Sequence, residues 1–139
     1  MSLRILATRG FMRAAAKFGL TDRTMIVAAR EIEAGLVDAR LGGFLVKKRI
    51  GVDGRGKSGG LRTILAYRQF ERLVFLYVFG KNERDNISER ERMALLELGD
   101  EYMRLTADCL DGLVAGGRLN EVSYHEQTKD QQRHSGGGA

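Results

Sequence analysis

An α+β domain, with a small, twisted and mostly antiparallel sheet, two N-terminal helices and a C-terminal helix, is what this sequence of 139 residues predicts. Three observations point to it. Apolar residues recur at helical spacing in the first 35 positions, the middle of the chain alternates with period two, and a helix-start signature introduces a third apolar stripe further on. No repeat interrupts this order.

Residues 3–7 are a short apolar run and read as an edge strand. Phe11, Ala14, Ala15 and Phe18 share one helical face, with Gly19 as the stop. Thr21 or Asp22 caps a second helix carrying Met25, Ile26, Ala29 and Ile32, which Gly35 ends. Residues 44–50 place Phe44, Val46 and Ile50 on one side and Lys47 and Arg49 on the other, the pattern of a half-buried strand; strict alternation turns Lys48 to the apolar side. Residues 61–68 and 73–79 are rich in β-branched and aromatic side chains and are joined by a polar link, so a hairpin is expected and the three strands form a meander. Phe75, Tyr77 and Phe79 then share one face. Ser88 and Glu91 fit a capping box, and the helix after it directs Met93, Leu95, Leu96, Leu98, Tyr102, Met103 and Leu105 to the core. A shorter helix is expected over 106–115. One domain should span residues 1–122, with residues 123–139 a polar, glycine-rich disordered tail.

The net charge is +5 and the pI about 9.7, but the charge is uneven. Residues 44–84 hold ten basic and three acidic side chains, so the remainder of the chain is slightly negative. An anionic partner should therefore meet the middle of the chain. No apolar run nears the ~18 residues of a membrane span. The first residues, soon interrupted by Arg9 and Arg13, are not expected to be a secretory signal. Cys109 is the only cysteine, which excludes an intrachain disulfide and suggests a reducing cytoplasm. No cofactor and no metal are expected.

Residues 51–58, Gly-Val-Asp-Gly-Arg-Gly-Lys-Ser, match the phosphate-loop pattern of nucleotide hydrolases letter for letter. The physics of that loop requires a helix after it, aimed at the phosphate. Gly59 and Gly60 and a strand-like stretch follow instead, so a flexible basic hairpin loop is the better reading, with Arg55 and Lys57 as its charges.

The stretch from Gly56 through Arg62 to Arg68, together with that from Phe75 through Lys81 and Arg84 to Ile87, closely resembles the RelE/HigB-like toxins of bacterial type II toxin–antitoxin modules, in particular the cytotoxic translational repressor subgroup. The segment from Glu33 to Gly43 and the paired lysines after it are also typical. The resemblance implies the RelE/ParE-like sheet and an mRNA endoribonuclease that acts on the ribosome until a cognate antitoxin, often a helix-turn-helix protein, masks it. It implies no membrane, and leaves self-association open. RNA cleavage through the 2′-hydroxyl needs a proton acceptor, a proton donor and fixed cations on the phosphate. Arg62 stands where related toxins place a phosphate-stabilising arginine. Lys81 and Arg84 match the segment after the last strand, and Lys47 and Arg49 would serve as general base or phosphate holder. Lys48, Arg55, Lys57 and Arg68 are expected to bind RNA, and Tyr67 to stack on a base. The chain departs from relatives at Asn82, where several have arginine, and at Ser88, where some have tyrosine; His125 and His134 both lie in the tail. Two alternatives stand beside the nuclease: a toxin of the same fold that inhibits DNA gyrase, as ParE relatives do, and a non-catalytic nucleic-acid-binding module.

Overall fold

The computed structural model describes residues 3–52 and 56–123, and for residues 52 and 56–59 the backbone alone. The tail from 124 onward lies outside the described residues. β1 (Arg4–Thr8) leads directly into α1 (Arg9–Phe18), because the Thr8 hydroxyl accepts the Phe11 amide at 3.0 Å and starts the helix. Gly19, in the left-handed region, closes it. Of the two caps allowed by the sequence, Thr21 is the one used for α2 (Asp22–Glu33), whose Met25, Ile26, Ala28, Ala29 and Ile32 are buried.

β2 (Ala39–Gly42), β3 (Leu45–Val52), β4 (Gly56–Arg68) and β5 (Arg72–Gly80) follow in antiparallel succession, so the expected meander is present and is extended by one strand at its start. β4 begins at Gly56, where a phosphate loop would need a helix. Close to this point, Gly60 faces a register shift in β3, and a Cβ there would lie 2.2 Å from the Ile50 carbonyl oxygen; only glycine lets the two backbones meet. α3 (Glu89–Arg104) carries the full capping box between Ser88 and Glu91, and α4 (Ala107–Ala115) is capped by Thr106. β6 (Leu119–Glu121) is the last described element.

The sheet runs β2-β3-β4-β5-β1-β6. β1 is therefore not an edge strand as its short apolar run suggested. It lies parallel to β5, with Arg4 opposite Arg72, and β6 covers its other side. Three residues of β6 carried too little pattern to announce a strand that changes the role of β1. A second correction concerns β5. A register shift opposite Ile64 and Leu65 leaves Leu76 as an extra residue, which turns Phe75 to one face and Tyr77 and Phe79 to the other.

Helices cover both faces. α1 and α2 pack on Val46, Ile50, Leu61, Leu65, Leu73, Phe75 and Val78. On the other face α3 and α4 pack on Leu6, Leu45, Ile64, Ala66, Val74 and Leu76. Gly99 of α3 brings the helix so close to Ala66 that an added Cβ would sit 3.2 Å from the alanine methyl. Arg72, almost wholly buried, donates to the Tyr102 and Leu105 carbonyls at 2.7 and 2.8 Å, satisfying the C-terminal end of α3. No described helix is long and apolar enough to cross a membrane.

Candidate active site

Strand alternation decides which side chains can meet. On the face that α3 covers, β3 presents Leu45, Lys47 and Arg49, directly opposite Ala66, Ile64 and Arg62 of β4. α3 crosses the Leu45–Ala66 end of this ladder, so that end is apolar. At the Arg49–Arg62 end the face opens into a cleft of about 320 Å³ lined by Asp38, Lys47, Arg49, Arg62, Asp85 and Asn86.

Arg62 is 8% exposed, and its Nη1 is buried without a hydrogen-bond partner, the one such side-chain N or O atom among the described residues. A buried donor left unpaired costs about 1–3 kcal/mol. Its cross-strand neighbour is Arg49, another cation, and directly opposed like charges destabilise a sheet. Asp38 relieves this: its Oδ1 accepts Arg49 Nε at 2.9 Å and its Oδ2 accepts the Arg49 amide at 2.6 Å. Burial pushes the Asp38 carboxyl up, yet the Arg49 amide and guanidinium outweigh it and hold the group below the ordinary range. Lys47 donates to Asn86 Oδ1 at 2.7 Å, which ties β3 to the segment between β5 and α3. Asp85 takes part in no hydrogen bond or ion pair among the described residues.

Of the cations expected at the site, the structure thus brings Lys47, Arg49 and Arg62 together. Lys81 is exposed in the turn after β5 and does not line the cleft. Arg84 is committed elsewhere. Its two terminal nitrogens donate to Glu91 at 2.8 and 2.7 Å, one of them also to the Tyr77 hydroxyl, and its guanidinium lies 5.5 and 5.3 Å from the Tyr77 and Phe79 ring centres. Those Arg84 bonds, with the Ser88 amide, hold the Glu91 carboxyl at about 2. Arg84 is a clamp joining the post-β5 segment to the start of α3, and it does not line the cleft.

The RNA-binding expectations fare differently. Lys48 is buried on the opposite face, where it pairs with Glu31 at 2.9 Å and donates to the Leu36 carbonyl at 2.9 Å; it anchors α2 and does not line the cleft. Tyr67 also points to the α1–α2 face, where burial pushes its phenol up, so it cannot stack over the cleft. Arg68 shares the cleft's face, but six residues along an extended strand is roughly 20 Å. There it stacks on Phe44 at 4.8 Å and pairs with Glu71. Arg55 and the Lys57 side chain lie outside the described residues. Sequence reasoning passed over Asp38, Asp85 and Asn86. The only signal was that all three stand in recognised segments, Asp38 in that from Glu33 to Gly43 and Asp85 and Asn86 in that after the last strand, where attention fell on the cations.

Two comparisons bear on identity. No curated protein matches the chain. The family model described as the RelE toxin of the RelE / RelB toxin-antitoxin system matches residues 3–122, nearly all of the described chain. The meander, the parallel N-terminal strand and the cationic cleft therefore belong to a member of the RelE toxin family.

Proposed function

We propose that the cleft grips one ribose-phosphate link of an mRNA on the ribosome, and that the chain is an endoribonuclease toxin that arrests translation by cutting there. One observation carries the reading: Arg62, almost wholly buried and with one guanidinium nitrogen left unpaired, lines a cleft shared with Lys47 and Arg49. Folding alone gives no reason to retain an unpaired buried cation. A phosphate oxygen would satisfy it, and the planar guanidinium fork suits the charge that builds on phosphorus oxygens in the transition state. The RNA's own 2′-hydroxyl is the nucleophile, so the reaction needs no metal ion. Lys47 and Arg49 hold the flanking charge and steer the strand.

RelE toxins pair with an antitoxin. For this chain we expect a partner encoded next to it and bearing a helix-turn-helix domain. The deciding experiment is induced expression with primer extension on mRNA, with and without ribosomes. Growth arrest with new mRNA ends, relieved by Arg62→Ala at equal protein level, is the expected result. Loss of DNA supercoiling before any mRNA is cut would favour the gyrase-directed alternative. RNA binding without cleavage would favour the non-catalytic one.

A further inference from the structure

A nuclease of this kind must take the proton from the 2′-hydroxyl, and few groups in the cleft can accept it. Arg49 and Arg62 are never deprotonated in proteins. Lys47 donates to Asn86, and as an ammonium it has no lone pair. The Asn86 amide is too weak a base. Asp38 has both oxygens engaged by Arg49, and a proton on either would break that pair. Asp85 is left, with a carboxylate that neither donors nor cations occupy among the described residues.

The neighbours of Asp85 explain how it is held with no bond of its own. On one side Arg84 is bound to Glu91 and Tyr77; on the other, Asn86 is bound to Lys47 across the cleft. Both flanking residues are anchored, to α3 and to β3, and Asp85 between them lines the same cleft as Arg62. Such support by neighbouring bonds pre-organises a reacting group while leaving its lone pairs free.

We propose, resting on the ribonuclease reading above, that Asp85 is the general base. Its carboxylate takes the 2′-hydroxyl proton as the 2′-oxygen forms a bond to phosphorus. The bond from phosphorus to the 5′-oxygen breaks with its electron pair, and that oxygen takes a proton from the Lys47 ammonium. The products are a 2′,3′-cyclic phosphate end and a 5′-hydroxyl end, and water restores both side chains.

The test uses purified protein with mRNA-programmed ribosomes and with the same RNA carrying 2′-deoxyribose at the cut position. Asp85→Asn should cut about 100-fold or more slowly, in keeping with the usual contribution of a general base. It should bind the deoxy RNA at least as well as the wild type, because a negative charge has been removed. The fall in rate on the acid side, present in the wild type, should disappear in the variant, while Glu97→Gln on the exposed side of α3 keeps both rate and profile. Cleavage by Asp85→Asn at the wild-type rate, or with an unchanged acid limb, overturns the base assignment and leaves the nuclease reading standing. Wild-type protein that leaves RNA intact, on and off the ribosome, overturns both.

Discussion

Arg62 and Lys48 are two buried cations in adjacent strands with opposite circumstances. Lys48 has its carboxylate and a carbonyl; Arg62 lacks a partner for one nitrogen. Removing Arg62 as Arg62→Met should therefore stabilise the fold by about 1 kcal/mol, seen as a higher midpoint in urea, while RNA cleavage falls about 100- to 1000-fold as for loss of a transition-state donor. Removing Lys48 as Lys48→Met should do the reverse: a loss of about 2 kcal/mol, because Glu31 is deprived of its ammonium, with cleavage per folded molecule unchanged. Both measured in the same denaturation and cleavage assays, the pair separates a residue held for function from one held for folding. A destabilised Arg62→Met would show that its guanidinium is structural.

At the scale of elements, the segment between β5 and α3 is fixed by one cluster in which Ser88, Glu91, Arg84 and Tyr77 share hydrogen bonds. The Glu91 carboxyl lies at about 2 in the fold against an ordinary 4.5, so the folded state favours its charged form. That contribution is complete above pH 4.5 and is lost as the pH falls toward 2. Glu91→Gln should be less stable at neutral pH and show a shallower decline in melting temperature over that window; parallel curves would deny the cluster its role. The Ser88–Glu91 capping box was legible in the sequence because its two partners are three residues apart, and so were the helix stops and the three long strands. The bond of Arg84 to Glu91 was not legible, since its own turn offered nearer carboxylates at Glu83 and Asp85. The Leu76 bulge was also invisible: strict alternation put Phe75 with Tyr77, and one extra residue separated them. The faces of Lys48 and of Arg62 follow from alternation alone, whereas the closeness of Asp38 and Asp85 depends on loops that carry no period.

Across the whole molecule, positive charge collects in the central meander and the cleft gathers three of its cations on one face. RNA affinity should fall steeply with salt, and Lys47→Ala should lessen the slope of log affinity against log salt by about 0.7, the share of one phosphate on a single strand. An unchanged slope would place Lys47 off the RNA path. The position of β1 has a further effect, on the timing of folding. Arg4 must find Arg72, and Leu6 must find Glu121, so β1, between β5 and β6, waits for partners made late. Long-range pairings of this kind form slowly, and a ribosome adds only about 5–20 residues per second. The toxin should thus stay incompletely folded until almost its entire described portion has been synthesised, an interval in which an antitoxin already present can capture it.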